Sequence, residues 1–201
     1  MNPRFLSALA LIDHANAQDP ESAASEDGSL QPKELLYSRR MSVWLAKLEP
    51  KASEVLQLAV RAQHLKRWSL PRSFYPMDRP GYLKWRTVLK DFHAAECVRI
   101  LAEAGYPDDF QARAASLIRK ERLKQDPEAQ RLEDTACLVF LEFYFQDFSS
   151  RHEESKIIEI VRKTWNKMSP SAHQAALALP FPEPLLSTLK KALANPSAPT
   201  V

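Results

Sequence analysis

Residues 131–145 read RLEDTACLVFLEFYF. Between Ala136 and Phe145 only Glu142 is polar. A helix that is apolar all round belongs in an interior, with other helices packed about it. The run is far short of the roughly 18–20 apolar residues that cross a bilayer. It predicts a buried central helix, restarted at Asp126-Pro127 and continuing to about Phe148. Directly before the apolar run sit Glu133 and Asp134. Asp134 shares a side with Leu138, Leu141 and Phe145, so its carboxylate is expected to point inward.

Outward from this helix, the chain reads as helices separated by proline turns. Asn2-Pro3 is an N-cap followed by proline at the first turn, opening a helix to about Ala17. Asp19 to Gln31 reads as an exposed loop. Lys33 to Leu48 is a helix whose buried side is Leu35, Leu36, Val43, Trp44 and Leu48, with Met41 and Leu45 close by. Ser53-Glu54 opens a third helix to about Arg67. Prolines at 71, 76 and 80 make Trp68 to Pro80 a loop, and its aromatics Trp68, Phe74 and Tyr75 are expected to pack against the body. Gly81 to Ala104 is a long helix with Tyr82, Arg86, Leu89, His93, Cys97 and Ile100 on one side. Phe110 to Lys124 follows, its last turn rich in cations. After the central helix come Glu153 to Met168, Ser169 to Leu179 and a last helix to about Leu193. No alternating β-branched run and no Asn-Gly hairpin signal occurs. The expectation is an all-α fold of about eight helices in a single domain over 1–194, with a core at 33–148, further helices at 151–194 and a disordered tail at 195–201.

Composition narrows the function. Three glycines in 201 residues leave no material for a phosphate-cradling glycine loop or a dinucleotide-binding fingerprint. The N-terminal apolar run reads as an amphipathic helix rather than a signal peptide. Cys97 and Cys137 fall in helical patterns, as reduced core residues of a cytoplasmic protein would. The charge is uneven. From Arg61 to Lys90 there are eight Lys/Arg against one acid, Asp78, a net +7 in a chain whose total is +3. These cations interleave with Trp68, Tyr75, Tyr82 and Trp85. Such a mixture suits phosphate recognition or stacking on the bases of RNA. The mild total charge favours a small phosphorylated or nucleotide ligand over a polynucleotide.

Four polar residues stand out in the helical frame: His64, His93, Glu133 and Asp134. Imidazoles and carboxylates gathered within a bundle are a common way to hold a divalent metal, here Mn, Fe, Co, Ni or Zn. The structural alternative makes the histidines hydrogen-bonded core or rim residues and pairs Glu133 and Asp134 with arginines. A nucleophile is poorly supported: Cys97, one turn after His93, reads as a buried inert thiol.

The order of these residues resembles the HD-domain phosphohydrolase superfamily, an all-α bundle. YSRRMSVWL is similar to that family's first ligand helix, AVRAQHLKRW to its His-Asp helix, FHAAECVRILAEAGYPDDF to the further-histidine helix and RLEDTACLVFLE to the last ligand helix. Tyr37 stands at the first histidine and Leu65 at the aspartate of the doublet. The words RAQHLKRW, GYLKWR, DFHA and LED-x-ACLVFLE also resemble, over nearly the whole chain, a domain-of-unknown-function family of bacteria, fungi and plants. Some of its members carry a glutamyl-tRNA synthetase-like label. The HD resemblance implies a metal-dependent phosphohydrolase in which His64, His93 and Asp134 hold the metal and Glu133 is the catalytic base. Arg40, Arg61, Arg67, Arg72, Arg86 and Lys90 would then hold a small anionic phosphorylated substrate. The alternative is a non-catalytic module of the same fold that binds a nucleotide or RNA. No membrane partner is expected.

Overall fold

A computed structural model describes residues 2–194. Among them, ten α-helices and one two-stranded hairpin account for the regular structure. The fold is essentially all-α, as the helical periodicity indicates. No helix of the described residues is long and apolar enough to cross a membrane. The expected tail at 195–201 lies outside the described residues. The chain divides into two compact units, Met1–Leu132 and Glu133–Val201.

The first unit holds helices α1 (Pro3–Asn16), α2 (Lys33–Leu48), α3 (Glu54–Arg61), α4 (Arg79–Glu103) and α5 (Asp108–Arg119), and the start of α6 (Pro127–Val139). Its core is the set of buried faces Ala8 and Ile12, Leu35, Leu36, Met41, Trp44 and Leu45, Leu56, Leu58, Ala59 and Val60, Leu89, Cys97, Ile100 and Leu101, and Ala114, Ala115, Leu117 and Ile118. Asn2 caps α1 by accepting from the Arg4 amide, and Ser53 caps α3 by accepting from the Leu56 amide. Val43, expected on the buried side of α2, is exposed, and Glu34 and Ser38 are buried in its stead. The buried side of α2 therefore runs from Glu34 to Leu45 and leaves Val43 outside it.

The stretch expected as a loop at Asp19 to Gln31 contains strands β1 (Ser22–Ala24) and β2 (Leu30–Pro32), paired antiparallel with Ala23 opposite Gln31. Three residues per strand are too few to show an alternating pattern. The turn is local chemistry. Asp27 Oδ1 accepts from the Ser25 hydroxyl and the Ser29 amide, and Gly28 takes a left-handed φ of 82°. The base of the hairpin is anchored by buried Asp19, whose carboxylate accepts from the amides of Glu21 and Glu34. Pro32 gives α2 no side-chain cap, so Asp19, fifteen residues earlier, performs that task.

The third helix stops at Arg61, short of the expected Arg67. Beyond it the Lys66 amide donates to Asn16 Oδ1 at 3.0 Å, and Lys66 sits in the left-handed region at φ 51°. The end of α1 thus captures the chain as a turn. Two short 3₁₀ turns follow, Arg67–Ser69 and Arg72–Phe74. Arg72 staples this loop by donating to the carbonyls of Tyr75, Pro76 and Asp78. Trp85 Nε1 donates to Leu70 O at 2.8 Å. Gly81 is needed here, because a Cβ would lie 2.1 Å from Pro76 O. Phe74, expected to be covered, is 73% exposed: the arginine staple and the Trp85 bond shape the loop without it.

In the second unit the helix begun at Pro127 widens into a π-helical stretch at Phe140–Tyr144 and continues as α7 (Phe145–Ser150). Cys137, Leu138, Val139, Leu141 and Phe145 are buried and Glu142 is exposed. The extra residue of a π-turn rotates the apolar surface, so one continuous helix serves an apolar run wider than one face. Helices α8 (Glu154–Trp165), α9 (Pro170–Leu177) and α10 (Glu183–Ala194) complete the unit, with α8 and α10 packed together. Both cysteines are buried, and burial pushes the Cys97 thiol up to about 12.

Candidate functional site

The turn that captures Lys66 also sets His64. It lies past the end of α3, stacked face to face on Tyr37 of α2 with ring centroids 4.1 Å apart. His93 comes from the middle of α4, and its ring centroid is 5.8 Å from that of His64. The two histidines singled out in the sequence are thus neighbours, brought together by the loop between them. They line a pocket with Gln63, Arg67, Arg86, Leu89, Lys90, Ile118 and Lys120. Every one of these residues belongs to the first unit.

The atoms of His93 have assigned roles. Nδ1 lies 2.8 Å from Leu65 O, and a carbonyl can only accept, so Nδ1 carries the proton. Nε2 is then a lone pair, buried and without a hydrogen-bond partner among the described residues. His93 is 3% exposed. Burial, the neighbouring His64 and Arg67 together push it down to about 3, against the opposing pull of the Leu65 bond. His64 is held well below the usual range by burial and then by Arg67, Arg86 and Lys120. Both rings are neutral at physiological pH.

Glu34 completes the group and was not singled out in the sequence. It is 6% exposed, its Oε2 lies 3.3 Å from His64 Nδ1, and its Oε1 lies 3.9 Å from Arg67 Nε. The Oε2–Nδ1 approach lacks hydrogen-bond geometry, and Oε2 has no partner among the described residues. Burial raises its carboxyl to about 7 despite Arg67 and Lys33. A glutamate in the first turn of a helix reads as an ordinary partner of the helix dipole. The available signal is its spacing of three residues before Tyr37, which places both on the side facing the histidines.

Of the six basic residues expected at the site, Arg67, Arg86 and Lys90 line the pocket. The other three hold the fold. Arg40 pairs with Glu26 of the hairpin turn at 2.8 Å. Arg61 grips Asp13 of α1 with two bonds of 2.7 Å and also donates to Ser42 of α2. Arg72 staples the loop. Lys120, the fourth cation, comes from a segment expected to be helical. It caps α5 in the left-handed region at φ 59°, a conformation that non-glycine residues seldom adopt. Arg86 has no hydrogen-bond or ion-pair partner among the described residues. Arg67 sits over the Trp85 ring, its guanidinium carbon 4.9 Å from the centroid.

Glu133 and Asp134 serve the second unit. Asp134 Oδ1 accepts from the Ser169 amide at 2.8 Å and Oδ2 from the Ser169 hydroxyl at 2.6 Å. Ser169 is the N-cap of α9, so Asp134 secures a helix start. Glu133 Oε1 lies 3.7 Å from Lys167 Nζ. Among the described residues no group of three or more His, Cys, Asp or Glu is arranged to hold a metal ion. Leu65, at the position of the doublet aspartate, has its side chain in the core and contributes its carbonyl to His93 instead.

Comparison with known proteins completes the description. Neither a curated protein nor a solved structure matches the chain. A family model does, over residues 6–189, nearly all of its length. By that match the chain belongs to the family described as domain of unknown function DUF4202.

Proposed function

We propose that the first unit binds a small phosphorylated ligand, a nucleotide or another phosphate ester, in the pocket between α4 and the turn that follows α3. The carrying observation is the clustering of Arg67, Arg86, Lys90 and Lys120 around two neutral imidazoles in one concave site. Guanidinium groups offer forked donors to phosphate oxygens, and ammonium groups add point charge. The partnerless guanidinium of Arg86 is the group that an incoming anion satisfies. RNA is the weaker candidate. Arg61 and Arg72 of the basic stretch are consumed by a carboxylate and carbonyls of the fold, while Arg67, Arg86 and Lys90 of the same stretch line the pocket. Titration calorimetry with inorganic phosphate and pyrophosphate tests this. Saturable binding that weakens in Arg86→Gln supports it, and no binding to the wild-type protein overturns it.

The histidine pair favours one second reading, a metal-dependent phosphohydrolase. His93 has the posture of a metal ligand, one nitrogen bonded to a carbonyl and the other a lone pair. The ligand set is partial, however. Both oxygens of Asp134 are engaged by Ser169, and among the described residues no group of three or more His, Cys, Asp or Glu is arranged to hold a metal ion, even with Glu34 beside His64. Elemental analysis of tag-free protein, with phosphate-release assays in added Mn or Ni, decides this reading. Stoichiometric metal together with turnover would establish it.

A further inference from the structure

His93, which lines the pocket, carries a polar atom that no hydrogen bond satisfies among the described residues. His93 Nε2 is a buried lone pair with no partner, and the bond from Nδ1 to Leu65 O prevents the ring from exchanging its tautomer. An unpaired buried acceptor costs free energy that an arriving donor recovers. Phosphate is itself an acceptor. A phosphate monoester loses its second proton near pH 6, and beside Arg67, Arg86, Lys90 and Lys120 that proton leaves more readily still. The group at Nε2 is therefore not a P–OH. A ligand ammonium would add a positive charge to a site already lined by four cations. The donors that remain are neutral, an N–H of a base or amide or a hydroxyl on the carbon skeleton, and the hydroxyl is the one that phosphate esters of sugars and polyols all carry.

We infer that His93 Nε2 accepts a hydrogen bond from a ligand hydroxyl, so that the pocket selects phosphate esters of a hydroxylated skeleton, a sugar or polyol phosphate including the ribose of a nucleotide. This rests on the pocket taking a phosphorylated ligand, and the test separates the two claims. Glycerol 3-phosphate, ribose 5-phosphate and adenosine monophosphate are titrated beside propyl phosphate, which has no hydroxyl, and inorganic phosphate. At least one hydroxylated ester binds wild type about tenfold more tightly than propyl phosphate, the factor expected for one buried hydrogen bond. His93→Asn keeps an amide donor for Leu65 O and removes the acceptor at Nε2. In this variant the tenfold preference disappears, so that the hydroxylated esters and propyl phosphate bind it with equal affinity. Equal affinity of all esters for wild type overturns the inference and leaves the phosphate site standing. A preference that survives in His93→Asn overturns the assignment to His93. If no phosphate compound binds, the phosphate site itself fails. Nitrogen-15 spectra of wild-type protein labelled in the imidazole rings give a measurement independent of any variant. Nε2 must resonate as an unprotonated nitrogen and shift on adding the preferred ester, and a protonated Nε2 overturns the inference.

Discussion

Two buried acids in this chain meet opposite environments. Asp134 is 1% exposed, and both of its oxygens take hydrogen bonds from Ser169. Glu34 is 6% exposed, with one oxygen near Arg67 and the other unpartnered beside His64. Burial alone therefore does not mark a functional carboxylate. A fully bonded one is a structural fastener, here of the start of α9. An incompletely bonded one beside two neutral histidines and a cationic pocket is held at a cost to stability. The same division runs through the arginines: Arg61 is spent on Asp13, and Arg86 faces a pocket.

The contrast is open to direct attack. Asp134→Ala should have the largest effect, a loss of about 3–4 kcal/mol in denaturant unfolding, because it leaves the Ser169 amide and hydroxyl without their acceptor. A loss below about 1 kcal/mol would remove Asp134 from the class of fasteners. Glu34→Gln should act in the other direction and only at higher pH. Its carboxyl titrates near 4.5 when unfolded and about 7 when folded. The folded chain holds this proton more tightly, so the contribution of Glu34 is full below pH 4.5 and is lost as pH rises through 7. The stability of Glu34→Gln relative to wild type should therefore climb between pH 4.5 and 7, by about 3 kcal/mol. His93 has the opposite sign. Its folded value near 3 lies below the unfolded 6.5, so its contribution is present above pH 6.5 and lost as pH falls toward 3. Comparing the two proteins at each pH removes that shared term. A flat difference would show that Glu34 titrates normally.

Arg61→Ala should cost about 2 kcal/mol, since Asp13 loses a partly buried two-bond partner. Its thermal midpoint should fall while pyrophosphate affinity is retained. Arg86→Gln should show the smallest stability change, within about 0.5 kcal/mol, yet weaken pyrophosphate about tenfold through loss of a charge-assisted contact. If Arg86→Gln unfolds and Arg61→Ala weakens binding, the division between fastening and pocket arginines is reversed.

How far the sequence reaches can be judged residue by residue. His64 and His93 were legible as polar residues at odds with an apolar frame, and Arg67, Arg86 and Lys90 as members of a basic stretch. Glu34 was not legible, because its meaning depends on the stacking of Tyr37 against His64 across 27 residues of chain. Lys120 was hidden in a segment that reads as helix and ends early in a left-handed residue. Asp134 was legible as inward-pointing, but its bonds to Ser169 were not, because Ser169 lies 35 residues away. The hairpin at 22–32 escaped notice because six strand residues carry no periodicity.

By itself, the sequence determined the helical class, most helix starts and most of the apolar residues that face inward. These follow from caps, prolines and the 3.6-residue spacing of apolar residues, all local quantities. Only the tertiary structure decided which polar groups are satisfied. A hydrogen bond such as His93 to Leu65 or Asp134 to Ser169 joins residues whose separation along the chain says nothing of their distance in space. Satisfaction is what distinguishes Asp134 from Glu34 and Arg61 from Arg86, and it is a property of the folded chain alone.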